Sequence, residues 1–137
     1  MGKRRSSSQL TPLELQIMQV LWEIGPANVQ TVQSRIPGSP KLAYTTVQTM
    51  LNVLHRKGKV KRVLRGRAYE YQPVLTQERA EGHAVRDIVD RIFGGSVEGL
   101  LMSLMKTRQL DPRKLRKLSS LVDEHERSEK EKSHGDD

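Results

Sequence analysis

The chain contains no cysteine. Disulfide frameworks, thiolate metal sites and cysteine nucleophiles are therefore excluded, and a reducing compartment suits the sequence. Aromatic residues are scarce: one Trp, three Tyr and one Phe among 137 residues. A chain of this length and make-up can fill one modest, mainly aliphatic core plus an appendage. No apolar run approaches the roughly 18 residues of a membrane span. The segment Met1–Leu10 starts basic but lacks the apolar stretch of a secretory leader, so the expected location is the cytoplasm. Met1-Gly2-Lys3-Arg4-Arg5-Ser6 fits the loose N-myristoylation pattern, yet nothing downstream is membrane-directed. A basic flexible arm over residues 1–9 accounts for the same residues.

The net charge of +8 is unevenly divided. Residues 1–75 hold twelve Lys/Arg against three acidic residues, net +9, whereas residues 76–137 hold twelve against thirteen, net −1. A positive half of this size attracts polyanions. Charge alone leaves open a nucleic acid partner or a solvated basic surface.

Thr11-Pro12-Leu13-Glu14 is a helix start, with Thr11 as cap, Pro12 in the first turn and Glu14 completing a capping box. Leu13, Ile17, Val20, Leu21 and Ile24 then recur at helical spacing until Gly25-Pro26. Asn28 caps a second, shorter helix with Val29, Val32 and Ile36 on one face, stopped by Pro37-Gly38-Ser39-Pro40. A third helix over about Ala43 to Lys57 carries an inward stripe of Val47, Met50, Leu51 and Leu54 and ends at Gly58. Its other face holds Thr45, Thr46, Gln48, Thr49 and Asn52, uncharged hydrogen-bonding residues of modest helix propensity. Helix stability does not account for that choice.

After Gly58 the period changes. Val60–Leu64 and Ala68–Gln72 are strand-like stretches joined by Arg65-Gly66-Arg67, with Tyr69 and Tyr71 expected to pack on the helices. Lys59, Lys61, Arg62, Arg65 and Arg67 crowd the strand and tip with positive charge. Three helices followed by a basic hairpin is the order of a winged helix-turn-helix.

From Thr76 onward the pattern is helical. One segment to Phe93 has Ala84, Val85, Ile88, Val89 and Ile92 in register, and Gly94-Gly95-Ser96 breaks it. Val97, Leu100, Leu101, Leu104 and Met105 line the next helix, and Asp111-Pro112 opens a last one with Leu115, Leu118, Leu121 and Val122. A charged tail over residues 128–137 is expected to fray. Three such helices bury too little apolar surface to fold alone, so their stripes require a partner, and an identical subunit is the economical one. Ile88, Ile92, Leu101, Leu104, Leu118 and Leu121 are the expected dimerisation residues. The alternative is that this segment packs back on its own winged helix.

Catalysis finds no support. His83 and Asp87 lie one turn apart without a third metal ligand, Gly94-Gly95 lacks phosphate-loop spacing, and His55 sits near a helix end among Arg56 and Lys57. No nucleophile, base and orienting group can be brought together, so neither an enzyme nor a cofactor is expected.

The motifs Leu10-Thr11-Pro12-Leu13-Glu14, Leu21-Trp22, Tyr44-Thr45-Thr46-Val47-Gln48-Thr49-Met50-Leu51-Asn52, Lys57-Gly58, Gly66-Arg67-Ala68-Tyr69 and Tyr71-Gln72-Pro73 resemble the BlaI/MecI family of penicillinase repressors. The resemblance continues through Phe93-Gly94-Gly95-Ser96 and covers about residues 10–125. It implies a homodimer with an N-terminal winged helix and a C-terminal helical dimerisation domain, repressing transcription from near-palindromic operators. In well-known members a signalling protease relieves repression by cutting the dimerisation domain. Val53 stands where many relatives place Arg, and Ser103-Leu104 where some carry an Asn-Phe cleavage dipeptide. The copper-responsive branch carries C-terminal cysteines, and this chain has none.

The resulting expectation is a mostly α protein with a small β-hairpin: a winged-helix DNA-binding domain over residues 10–75 and a three-helix dimerisation domain over residues 76–127. Thr45, Thr46, Gln48, Thr49 and Asn52 would face the major groove, Lys41 and Arg56 the DNA backbone, and Arg65 and Arg67 flanking phosphates or the minor groove. Two other readings are a winged-helix protein-interaction module and a regulator with an effector pocket among the C-terminal helices.

Overall fold

A computed structural model describes residues 9–135. The basic arm expected over residues 1–9 therefore lies outside the described residues, save Gln9. The order is α1 Pro12–Ile24, α2 Val29–Arg35, α3 Tyr44–Arg56, β1 Val60–Arg65, β2 Ala68–Pro73, α4 Gln77–Arg91, α5 Val97–Lys106 and α6 Pro112–Gly135. The mostly helical class with one antiparallel hairpin, a winged helix at its N-terminal end, is the fold that forms. The residues fall into two compact units, one ending at Asp87 and the other beginning at Ile88.

Helix starts follow local chemistry. The Thr11 hydroxyl accepts from the Glu14 amide at 3.2 Å while the Glu14 carboxylate accepts from the Thr11 amide at 2.8 Å, a reciprocal capping box. Asn28 Oδ1 accepts from Thr31 N at 2.9 Å to start α2. At the other end of α2, the Lys41 ammonium donates to Ser34 O and Ile36 O at 3.0 and 2.9 Å, satisfying carbonyls the helix leaves open.

The core of the first unit joins Ile17, Met18 and Leu21 of α1, Val32 and Ile36 from α2 and its end, and Val47, Leu51 and Leu54 of α3. Val60 and Tyr71 of the hairpin close it. The segment before α2 adds a third strand-like edge, since Ala27 and Tyr71 exchange both backbone bonds at 3.0 and 2.8 Å. In the hairpin Arg65 pairs with Ala68, so Gly66 and Arg67 form the turn, and Gly66 takes the left-handed φ of 65° that favours glycine. Tyr71 packs inward as expected, but Tyr69 is 41% exposed. The tyrosines share a strand face, yet Tyr69 lies nearer the tip, outside the core cluster.

Lys59 also departs from the expected basic surface, being 8% exposed. Its backbone is the reason: Lys59 N donates to Leu54 O at 2.9 Å, and Lys59 O accepts from Val74 N and Leu75 N at 2.8 and 3.0 Å. Burial and the nearby Lys57 charge push its pKa below the usual lysine value, against the opposing pull of Glu14. Glu14 itself is 1% exposed and accepts from the Lys57 ammonium at 2.8 Å. The Trp22 indole N–H donates to Leu75 O at 2.9 Å, fastening α1 to the segment that leaves the hairpin.

In the second unit Ser96 Oγ accepts from Gly99 N at 2.9 Å and Asp111 Oδ1 from Lys114 N at 2.8 Å, so both expected caps form. α5 has no buried residue, and within the unit Leu110 is the core member, at 5% exposure. Ile92 is 71%, Leu121 51% and Leu118 43% exposed. The tail does not fray where expected, because α6 continues to Gly135. Asp123 with Arg127 and Glu126 with Lys130 are spaced one turn apart, acid before base, the order that supports a solvated helix.

Burial alone would raise the Glu14 pKa, but the hydrogen bond from Lys57 and those with Thr11 outweigh it and hold the carboxyl below its ordinary value. A group depressed in this way stabilises the fold above the unfolded carboxyl value of about 4.3, and that contribution is lost as pH falls through the lower folded value. Glu14→Gln is expected to cost about 1–2 kcal/mol at neutral pH, with the deficit shrinking in acid. Urea unfolding of both chains across that range checks it.

Candidate nucleic-acid interface

α3 presents its uncharged residues as a face because its aliphatic residues are claimed by the core. Val47, Leu51 and Leu54 are buried, and Thr45, Gln48, Thr49 and Arg56 are exposed on the opposite side. Thr46 and Asn52 are half-buried at the margin. The helix has no side-chain cap, with Ala43 at its N-cap, and no acidic residue in its first turn. Its leading amides and dipole are thus available to an anion.

The hairpin brings a cation alongside. Gln48 and Arg67 line one cleft of about 180 Å³ with Tyr44, Tyr69 and Asn28. Polarity and charge in the sequence do not single out Tyr44, which is 46% exposed at the start of α3. Arg65 reaches Glu70 at 3.5 Å with its side chain 66% exposed, a surface pair of little energetic weight. Lys41 is exposed but uses two of its three N–H donors on the end of α2.

Asn52 has a different place from the other polar residues of α3. Its Oδ1 accepts from Arg62 Nη1 at 3.0 Å and from the Tyr71 hydroxyl at 3.1 Å, linking the helix to both strands. Arg62 in turn lies over the Tyr69 ring at 4.2 Å, and the Tyr69 and Tyr71 rings meet edge-on at 6.3 Å. The signal for part of this network is present in the sequence, because counting back from a two-residue turn at Gly66-Arg67 pairs Arg62 with Tyr71. What the count does not supply is the approach of α3, which brings Asn52 within reach.

Asn52→Ala leaves the buried Tyr71 hydroxyl without its acceptor and is expected to destabilise the first unit by about 2 kcal/mol. Tyr71→Phe should cost about 1 kcal/mol in the parent chain and markedly less once Asn52 is already alanine. Denaturant unfolding of the two single variants and the double variant measures that coupling, and strict additivity would show that the bond carries no energy.

A model of the penicillinase repressor family matches residues 10–124. The penicillinase repressor of Bacillus licheniformis is 24% identical over 123 residues, covering 90% of this chain and 96% of that protein. Among solved structures, the DNA binding domain of the repressor BlaI is similar at 26% identity and a TM-score of 0.48, over 56% of this chain and 93% of that one. A MarR family protein from Bacillus stearothermophilus is similar at 22% identity and a TM-score of 0.45, over 82% of this chain and 75% of that one. With its family match extending over most of its length, this chain belongs to the penicillinase repressor family.

Proposed function

We propose that the chain is a DNA-binding transcriptional repressor, not an enzyme, that acts in the cytoplasm as a homodimer on near-palindromic operators. The observation that carries the reading is the exposed face of Thr45, Gln48 and Thr49 beside the Arg67 cation. α3 enters the major groove, where Gln48 is long enough to pair with adenine through its amide and the Thr49 methyl can meet a thymine methyl. Thr45 and Thr46, at the uncapped start of α3, meet bases or the adjoining phosphates. Arg56, Lys41, Arg65 and Arg67 hold the backbone. Asn52 takes part through its Nδ2 donors, while its Oδ1 keeps the hairpin beside the helix.

Residues 10–75 are the DNA-binding domain in this reading and residues 76–127 the dimerisation domain. Ile88, Ile92, Leu101, Leu118 and Leu121 are exposed in the single chain, and Leu104 is half-buried beside them. Covering such stripes is the ordinary role of a two-fold partner. The regulatory step is cleavage of this half by a signalling protease. Ser103 and Leu104 lie inside α5, so a cut there requires the helix to open first.

The dimer is tested by sedimentation. The full chain is expected to run as a dimer at tens of micromolar, about the range where such assemblies are measured, and Ile92→Asp with Leu121→Asp to run as a monomer. A monomeric parent chain would defeat the assembly.

Reading and holding are tested by titration on operator and random DNA at several salt concentrations. Gln48→Ala should cost about 1–3 kcal/mol on the operator and little on random DNA. Arg67→Ala should weaken both alike and reduce the log-log salt slope by about one for each phosphate no longer neutralised. The reverse pattern would overturn the division of labour between α3 and the hairpin.

A further inference from the structure

Asn52 follows Thr45, Gln48 and Thr49 along one stripe of α3, a turn or two further on. Its side-chain amide is nevertheless engaged at one end. Oδ1 accepts from Arg62 Nη1 at 3.0 Å and from the Tyr71 hydroxyl at 3.1 Å. A carbonyl oxygen has two lone pairs, and both are used. Chemistry fixes which end is which, because a guanidinium only donates and turning the amide over would set its NH2 group against the cation. Tyr71 is 2% exposed, so its hydroxyl depends on that acceptor, and Arg62 is held over the Tyr69 ring at 4.2 Å. Asn52 Nδ2 is the free end: among the described residues it makes no hydrogen bond, and it is not closed off from solvent. Gln48, exposed one turn earlier, has both ends of its amide unengaged.

We propose that Asn52 reads the major groove as a donor only and selects guanine, where an unencumbered asparagine would pair with adenine. The inference rests on the entry of α3 into the major groove proposed above. Guanine presents two acceptors there, N7 and O6, whereas adenine sets its N6 amino group beside N7 and cytosine offers its N4 amino group. An amide with both ends free matches adenine by donating to N7 and accepting from N6. With Oδ1 held by the hairpin, half of that match is lost and the adenine amino group meets no acceptor. Thymine has one acceptor, O4, beside its methyl group. Gln48 and Asn52 thus carry the same functional group on one helix face and read different bases. Arg62 and Tyr71 are positioning residues that set this difference through the Asn52 carbonyl.

The test is selection of bound sequences from a pool of randomised DNA duplexes by the full chain and its variants, with circular dichroism confirming each fold. Asn52→Asp keeps an acceptor for Arg62 and Tyr71 but turns the free end from a donor into an acceptor. One guanine position of the parent's site is expected to be given up by this variant, with cytosine, whose N4 amino group donates, in its place. Loss of that guanine supports the proposal whichever base follows. Exchanging the same guanine for adenine should weaken the parent chain about tenfold. Arg62→Met combined with Tyr71→Phe releases Oδ1, and adenine should then join guanine at that position; if this chain does not fold, the Asn52→Asp result decides. Should the added negative charge leave Asn52→Asp without any enriched sequence, Asn52→Ser decides by the same loss of guanine. The proposal is overturned if the Asn52 variants enrich the parent's bases throughout, or if they enrich nothing while folded. It is equally overturned if the position that responds held another base in the parent, or if the folded Arg62 and Tyr71 variant still takes guanine alone. A parent chain that enriches no sequence overturns the DNA-binding reading itself, whereas a parent site indifferent to Asn52 overturns this inference alone.

Discussion

The Glu14 carboxylate sits where three parts of the first unit meet. It completes the capping box that begins α1, and it accepts the Lys57 ammonium at the end of α3. From Lys57 the chain turns through Gly58, at a φ of 76°, into Lys59 and β1. The Lys59 carbonyl receives the amides of Val74 and Leu75 as the chain leaves the hairpin, and Leu75 O receives Trp22 from α1. One buried anion thus ties the start of α1 to the end of α3, where the chain turns into the hairpin. A buried carboxylate is tolerable because its hydrogen bonds and a cation replace the water it gives up. Its side-chain partner remains 35% exposed, so the pair bears less desolvation than a fully interior one.

Core packing and the Asn52 bonds decide what α3 and the hairpin present together. The aliphatic side of α3 is consumed by the core, which leaves a row of threonine and glutamine outward and places Arg67 across a narrow cleft from Gln48. Uncharged side chains on one element and cations on the other perform different physical tasks. Donor and acceptor pairs discriminate between base edges, whereas a guanidinium attracts any phosphate. The Asn52, Arg62 and Tyr71 bonds keep the two elements in fixed relation.

The helical half is organised by other means. Caps at Ser96 and Asp111 begin its helices, yet its aliphatic residues remain largely uncovered within the single chain. Local hydrogen bonding specifies helices there without specifying a core, because about fifty residues cannot enclose enough apolar surface by themselves. Alternating charges along α6 explain why that helix persists to Gly135 although none of its described side chains is buried.

Much of this protein was decided locally and is readable from the chain alone. Thr11, Asn28, Ser96 and Asp111 cap the helices they precede, Gly66 sets the hairpin turn, and the spacing of Ile17, Leu21, Val47, Leu51 and Leu54 marks the inward faces. Each depends on residues within about one turn or one strand pair, so sequence order is sufficient. Asn52, Arg62 and Lys59 are the opposite case. By residue type they belong with the polar and basic surface, and by position they are half or wholly buried in contacts between segments distant along the chain. Long side chains carry both a charged end and an apolar stem, and composition does not tell which will be enclosed. Only the crossing of α3 over the hairpin determines that Asn52 is an acceptor for Tyr71, that Lys59 is buried beside Glu14, and that Tyr69 stays outside the core near the hairpin tip.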